Sequence, residues 1–371
     1  MVSRRHFLQL LLASGALSSL SAKTLAQWAG RSDIAADQPL TLTEVTSLAQ
    51  IAASAGLLFG SAFDMASIND PAYGALLKHH CSILTTDYQL KFWTLRPTAD
   101  QIDFTRADQL VAFAKNASIA LRGHTLIWNE WNPPWLKQAS TQQVTYWLDR
   151  HIDEVVGRYA GQFHSWDVVN EPMWPAHNKA QGLRSGPWLN ALGPNYVRRA
   201  FNVAAHADPK AKRVLNEAWL ERGDHWGKAL RAAFLPFVDQ LLQQGTPIDA
   251  IGLQCHLAPG NLDMDAFLRL VEQLKSYKLD IYVTELDVND ASFADELVMR
   301  DRGVAQSYQG FLQELLALRA VSVVQTWQLS DKYSFYQKPQ QREVRVLPFD
   351  KNMQPKAAYQ ALASVFLAAA G

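Results

Sequence analysis

Cysteine is nearly absent: two residues, Cys81 and Cys255, in a chain of 371. Two cannot build a disulfide framework or a cysteine-rich zinc site. Cys81 opens one apolar strand pattern and Cys255 ends another, so they are expected to be two buried free thiols. Charge of either sign is also missing in excess, with 35 basic residues against 35 acidic. A protein driven onto nucleic acid by electrostatics needs a basic surplus, so that class is excluded. At 19% charged residues the chain is too apolar for a disordered segment. It lacks any run of the ~20 apolar residues that span a bilayer, any Pro/Ser/Gly linker, and any glycine-rich phosphate loop after its first strand pattern. Histidine could hold a metal only at His79-His80, His124 and His256. The His-His pair falls at a helix end, facing away from the barrel mouth proposed below. No metal or cofactor is therefore expected.

What the chain has instead is apolar mass, 48% of its residues, and 12 tryptophans among them. Tryptophan wants apolar contact for its ring and a partner for its N–H. So many suggest either a large core or a cleft whose ring faces stack on sugars. The N-terminus reads as an address. Arg4-Arg5 precedes an apolar run from Phe7 to Leu17, and small residues follow up to Ala26, the pattern of a cleaved signal. The paired arginines resemble a twin-arginine (Tat) leader; a Sec-type leader is the alternative. Either predicts an exported protein, periplasmic or secreted, that meets the Tat machinery in transit and no membrane afterwards. Loss of Arg4, Arg5 and Lys23 leaves 32 bases against 35 acids. Residues 27–39 then form an extension, and residues 40–371 one domain acting as a monomer.

Within that domain short, nearly continuous apolar runs alternate with helical patterns. The strands are expected at Leu58–Phe63, Cys81–Thr86, Ala120–Trp128, Trp166–Asn170, Arg213–Asn216, Ile248–His256, Ile281–Leu286 and Val323–Leu329. Runs of this kind are buried on both faces, as in parallel sheets. Helical patterns lie between them, among them Phe104–Asn116, Gln142–Tyr159, Tyr196–His206, Gly227–Gln243, Asp265–Tyr277 and Glu296–Leu318. Asp103 and Thr141 stand at N-cap positions, and Asn195 follows a proline. Eight strand-then-helix units predict an α/β fold, a (β/α)8 TIM barrel of the kind that takes ~250 residues.

In such a barrel the chemistry sits at the carboxyl ends of the strands. Those ends carry Ser61 and Phe63; Asp87 and Lys91; His124, Trp128 and Asn129; Asn170 and Glu171; Asn216 and Glu217; Gln254 and His256; Glu285 and Asp287; Trp327 and Asp331. A carboxylate ending an apolar strand is costly unless paired or hydrogen-bonded. Glu171 and Glu285, on the fourth and seventh strands, can face each other across the mouth. Two opposed carboxyls, one protonated and one ionised, are what glycoside hydrolysis requires.

At Trp166-Asp167-Val168-Val169-Asn170-Glu171-Pro172 and Val283-Thr284-Glu285-Leu286-Asp287 the chain resembles glycoside hydrolase family 10, the retaining endo-β-1,4-xylanases. The resemblance extends over most of residues 40–368. It takes in Phe59-Gly60-Ser61-Ala62, Arg122-Gly123-His124-Thr125-Leu126-Ile127-Trp128, Ile248 to Leu257, Ser330 to Ser334 and Phe349 to Tyr359. It implies Glu171 as acid/base and Glu285 as nucleophile. It implies further that Asn170 bonds the 2-hydroxyl of the sugar being cleaved, that Gln254 and His256 hold the nucleophile, and that Asp287 orients His256. Lys91, Asp87, His124, Trp128, Asn129, Trp327 and Phe335 would complete the polysaccharide-binding surface.

Where the family has Thr-Pro-Glu-Asn-Glu-Met-Lys-Trp, this chain has Thr85-Thr86-Asp87-Tyr88-Gln89-Leu90-Lys91-Phe92. Where it has Trp-His-Ser-Gln-Leu-Pro, the chain has Trp128-Asn129-Glu130-Trp131-Asn132-Pro133. Asn-Asp-Tyr-Asn becomes Asn216-Glu217-Ala218-Trp219, and Phe335 stands for a second cleft tryptophan. The catalytic centre is kept and its surroundings are rewritten. The sequence therefore points to a β-1,4-glycan hydrolase with xylan as default. A hydrolase of another β-glycan, such as a hexose-containing exopolysaccharide, and a non-catalytic sugar-binding barrel are the alternatives. A metal-dependent barrel hydrolase is a third.

Overall fold

The computed structural model describes residues 45–338 and 342–371; the leader and the extension proposed for residues 1–39 lie outside them. Eight parallel strands pair in sequence order, and the last closes on the first: β1 (Leu58–Phe63), β2 (Ile83–Thr86), β3 (Ala120–Gly123), β4 (Ser165–Asn170), β5 (Lys212–Glu217), β6 (Ala250–Leu253), β7 (Asp280–Val288) and β8 (Val321–Thr326). Closure is set by Leu58–Ser61 of β1 lying parallel to Val323–Thr326 of β8. Eight helices follow the strands: α1 (Pro71–His80), α2 (Thr105–Asn116), α3 (Thr141–Arg158), α4 (Asn195–Ala207), α5 (His225–Gln243), α6 (Met264–Ser276), α7 (Leu297–Ala317) and α8 (Ala357–Ala369). The expected (β/α)8 barrel is the observed one, and its strands are almost wholly buried, as both-face coverage demands.

Some boundaries move for identifiable reasons. The third and sixth predicted strands each split, leaving two-residue segments at Ile127–Trp128 and His256–Leu257. In the sixth, Cys255 adopts φ +60°, a left-handed backbone that interrupts the strand. The N-cap of α3 is Ser140 rather than Thr141: its side chain accepts the Gln143 N–H while Gln143 Oε1 accepts the Ser140 N–H, a capping box. Phe104 occupies the N-cap of α2, and Asp103, one residue earlier, accepts the Thr105 N–H at 2.8 Å. Cys81 ends α1 instead of opening β2. Both thiols are free and buried, and burial raises their pKa values.

The barrel interior is layered. Ile83, Val214, Ala250, Tyr282 and Val323, from five strands, form a separate apolar cluster. Two residues further along the strands the fill becomes polar. Arg122, fully buried, ion-pairs with Asp167, donates to Gln325 Oε1 at 2.9 Å and lies 5.4 Å from the Tyr282 ring centre. Thr85 Oγ1 donates to the same Gln325 oxygen, and Asp167 Oδ2 meets His124 Nδ1 at 2.9 Å. The inward-facing residues thus run from aliphatic to hydrogen-bonded toward the carboxyl ends.

Besides an extra residue in β8 between Val321 and Val323, two strands break the alternation of period two close to the site. Between Asp167 and Val169, β4 carries one residue more than β5, and between Val283 and Leu286, β7 carries one more than β8. Each extra residue is a β-bulge that reverses which side chains face inward. Thr284 makes interior contacts before the second bulge, and Glu285 and Asp287 make them after it.

Removing Asp167 would strand a buried guanidinium. Asp167→Ala is expected to destabilise the fold by about 3–5 kcal/mol, whereas Lys212→Ala, which breaks an exposed pair with Asp280, should cost under about 1 kcal/mol. Urea denaturation of the two variants checks the contrast; equal losses would refute the assigned importance of the buried pair.

Candidate active site

Asn216, at the end of β5, organises the mouth. Thr284 Oγ1 donates to its side-chain oxygen at 2.8 Å, which fixes the amide so that its nitrogen faces two acceptors. That nitrogen donates to Glu285 Oε1 at 2.8 Å and to Asn170 Oδ1 at 2.9 Å. Gly252 on β6 leaves the space, since a β-carbon there would lie 2.2 Å from the Asn216 side-chain oxygen. Gln254 Nε2 continues the chain, donating to Asn170 Oδ1 at 3.2 Å and to Glu171 Oε1 at 3.1 Å. Glu171 and Glu285 are therefore joined through three amides from β4, β5 and the end of β6.

This arrangement corrects one expected contact. Gln254 holds Glu171, not Glu285, and Asn216 takes the place assigned to it. Asn216 stands among the polar strand-end residues, but nothing in the sequence pattern gives it this role. His256 does reach Glu285, with Nε2 at 3.2 Å from Oε2, and its Nδ1 lies 2.9 Å from Asp287 Oδ2. Tyr336 donates to the other Asp287 oxygen at 3.3 Å.

These contacts set the charge states. Burial alone would lower the His256 pKa, but the Asp287 carboxylate and the bonds to Asp287 and Glu285 raise it well above the usual imidazole value. Burial likewise pushes Glu285 up; the His256 bond, the histidines His124 and His256, and Asn216 together bring it below the ordinary glutamate value. Asp287 is raised by burial, opposed by His256. The nearby Glu217 is pushed up to about 8, by burial first and then by the charge of Glu171, while its oxygens accept the Met173 and Ala218 N–H groups.

Glu171 has a partner the sequence reading missed. Arg184, from the loop after β4, donates to Glu171 Oε2 at 2.8 Å and to the Glu171 carbonyl at 3.0 Å; it also pairs with Glu130 and lies 4.4 Å from the Trp174 ring centre. The residue itself sits at φ +46°, a conformation unfavourable for a side chain larger than glycine, with its N–H on the Asn216 carbonyl at 2.8 Å. No strand pattern marks Arg184, because it reaches the site from irregular backbone 13 residues downstream.

Most of the remaining predicted residues border the same mouth. Lys91 Nζ lies 3.4 Å from Asp87 and about equally far from the Tyr88 and Trp128 rings, 5.4 and 5.5 Å. Burial raises the Asp87 pKa, against the pull of Lys91 and His124. Trp327, 8% exposed, sets its edge against His124 and His256, so it is largely packed among the site's histidines. Phe335 stands edge-on to His256 with its centre 5.4 Å away, and is exposed. Asn129 departs from the expectation. It is buried, and its side-chain oxygen accepts the Trp188 and Leu189 N–H groups at 3.2 and 3.4 Å, capping the short helix Pro187–Leu192. That use takes its acceptor out of the cleft. The histidine pair is structural: His79 Nε2 contacts the Val45 carbonyl at 2.7 Å, and His80, lowered to about 3 by burial, accepts the Leu48 N–H.

The family model for glycosyl hydrolase family 10 matches residues 47–365. Endo-1,4-beta-xylanase B of Paenibacillus barcinonensis is 30% identical over 302 residues, which cover 77% of this chain and 89% of that one. Endo-1,4-beta-xylanase A of a Caldicellulosiruptor species is 31% identical over 82% of this chain, which spans 45% of that relative's length. The crystal structure of native xylanase 10B from Thermotoga maritima superposes with a TM-score of 0.78 at 29% identity, covering 86% of this chain and 98% of that one.

Replacing His256 by Asn removes the imidazole that opposes burial at Glu285. The Glu285 pKa is expected to rise, read by carbon-13 titration of its carboxyl. An unchanged or lower value would contradict the assigned cause.

Proposed function

The chain belongs to glycosyl hydrolase family 10, and on that premise we propose that it is a retaining hydrolase of β-1,4-linked polysaccharide, with xylan as its substrate. The observation that carries this reading is the pair Glu171 and Glu285, two carboxyls from β4 and β7 tied through shared amides at the barrel mouth. Glu285, ionised and oriented by Asn216 and His256, is the nucleophile. It attacks the anomeric carbon as the glycosidic bond breaks, and Glu171 gives its proton to the departing oxygen. Glu171 then takes a proton from water, which releases the sugar from Glu285 with net retention. With its own oxygen accepting from Asn216 and Gln254, Asn170 has its amide hydrogens left for the 2-hydroxyl. His124, anchored through Nδ1 on Asp167, has Nε2 left for the substrate.

Arg184 is a positioning residue in this scheme. By holding Oε2 and the backbone carbonyl of Glu171, it leaves Oε1 as the oxygen that turns to the leaving group, exchanging its bond with Gln254. Export belongs to the same proposal, on the strength of residues 1–26; the N-terminus of protein recovered from outside the cytoplasm would start after that segment, and an intact leader there would refute cleavage.

The test is kinetic. Glu285→Gln should abolish turnover of every substrate. Glu171→Ala should spare aryl glycosides with good leaving groups, with azide restoring the rate. Arg184→Met should reduce kcat more on poor leaving groups than on good ones. Equal losses on activated and natural substrates would remove the acid/base assignment, and a product first seen as the inverted anomer would remove the nucleophile.

A hexose-containing backbone is the second reading, favoured by one observation. Phe335 is 53% exposed beside His256, and a phenyl ring leaves more room than an indole for a hydroxymethyl group. Asn129 also withholds a polar contact. At about 1 kcal/mol per lost hydrogen bond, preference for xylose units should fall by roughly tenfold or more relative to an enzyme that keeps those contacts. The ratio of kcat/KM on aryl β-xylobioside to that on aryl β-cellobioside measures it, and a strong bias to the xylobioside would restore the xylan reading alone.

A further inference from the structure

Asp287 is the innermost charge behind the nucleophile, and its two oxygens are held from different parts of the barrel. The residue is buried, with Oδ2 at 2.9 Å from His256 Nδ1. Its other oxygen, Oδ1, has one donor among the described residues, the Tyr336 hydroxyl at 3.3 Å. Tyr336 comes from the loop after β8. Its N–H donates to Ser334 Oγ at 3.2 Å, and its ring packs on Val344, Val346 and Leu347, with its centre 4.1 Å from that of Phe335. The hydroxyl is thus brought to Asp287 by a side chain whose seat does not depend on the carboxylate.

The surroundings of Asp287 are rich in acids. Facing it are His256 and Cys255 from the end of β6, Glu285 from β7, Glu221 from the loop after β5, Tyr308 from α7, and Tyr336. Of these only His256 can carry positive charge. Glu221 is buried with one carboxyl oxygen unpartnered, and burial, to which the Asp287 charge adds, pushes it up to about 7. Tyr308 gives its hydroxyl to the Val346 carbonyl at 2.8 Å, so it does not serve Asp287. A buried carboxylate beside other carboxyls stays ionised only where donors meet its oxygens. His256 supplies one such donor and Tyr336 the other.

We propose that Tyr336 is a positioning residue for the nucleophile: its hydroxyl keeps Asp287 ionised, so that the proton between Asp287 and His256 stays on the imidazole and a cation faces Glu285. The proposal rests on the glycan-hydrolase reading and adds to it a residue from the β8 loop. Without the hydroxyl, Oδ1 is a buried acceptor with no partner, and Asp287 takes up a proton more readily. His256 is then less often a cation. Glu285, which also faces His124 and Asp87, takes its own proton at a higher pH. The nucleophile works only when ionised, so the acidic limb of the pH profile moves upward.

The experiment compares the parent with Tyr336→Phe, which removes the hydroxyl and keeps the packed ring. Tyr333→Phe is the control, since it removes a hydroxyl bonded at 2.8 Å to Asp70 instead. In Tyr336→Phe the acidic limb of kcat/KM on an aryl β-xylobioside should rise by about half a pH unit or more. Carbon-13 titration of the Glu285 carboxyl should rise with it, and Tyr333→Phe should leave both in place. Below the limb kcat/KM should fall by a similar factor on good and poor leaving groups, unlike the loss in Arg184→Met. A loss of activity at every pH with the limb and the Glu285 titration unmoved would overturn the proposal, as would an equal shift in Tyr333→Phe. Failure of the hydrolase reading shows separately, as a parent that turns over no β-glycoside while its Glu285 titration still responds to Tyr336→Phe.

Discussion

One extra residue in each of two strands is the constraint on which the site depends. A strand alternates its side chains strictly, and a regular continuation of β4 from Asp167 would point Val169 inward and Asn170 outward. The bulge after Asp167 restores Asn170 to the interior, where it meets Asn216 and Gln254. The bulge in β7 does the same for Glu285 and Asp287 after Tyr282 and Thr284. Below the bulges the inward phase builds the barrel; above them it builds the site. Both of these bulges lie on the strands that bear the carboxylates, while a third, between Val321 and Val323 of β8, lies at the start of its strand.

The polar middle layer makes this change of phase tolerable. Arg122 and Asp167 are expensive to bury singly, and together they satisfy each other while also anchoring Gln325 and His124. His124 then stands at the mouth with one nitrogen already committed. A second anchoring chain runs from Tyr336 through Asp287 and His256 to Glu285. His124 and Glu285, at the mouth, are each held by a neighbour that is itself anchored, which is what holds a site to tight tolerance without relying on loop rigidity.

This division explains what could be read from the residues alone. Apolar runs fix strands whose both faces are buried, so the eight-fold barrel and the strands carrying Glu171 and Glu285 were legible, to within two or three residues at most ends. Bulges leave no such trace, because Val168 and Val169 are as apolar as regular strand residues. Partnership among polar side chains was legible only by resemblance, and that failed where geometry decided it. Gln254 and Asn216 are both amides at neighbouring strand ends, and the pattern cannot say which faces which carboxylate. Arg184 was invisible because it arrives from a loop. The use of the Asn129 oxygen was illegible because the helix start it caps, at Trp188 and Leu189, lies about 60 residues downstream.

The bonds of Asn129 to the helix start bear on selectivity. A hydrogen bond to a hydroxyl discriminates strongly, since a substrate lacking that group leaves a buried partner unpaired. A stacked ring discriminates weakly, because most β-linked pyranoses offer the same C–H face. At Asn129 the chain turns a polar group away from the cleft and into a helix cap. At Tyr88 and Trp131, in the neighbouring loops, it places exposed rings. On the proposed glycan-hydrolase reading, both changes move binding energy from hydroxyl recognition to face recognition. Such a cleft retains grip on a long chain while relaxing its demand on each unit, because the energy grows with the number of rings covered and not with the substituents they carry. The amides around the two glutamates are untouched by that exchange. In the proposed mechanism they act on the one sugar being cleaved, whose orientation at the anomeric carbon the chemistry cannot relax.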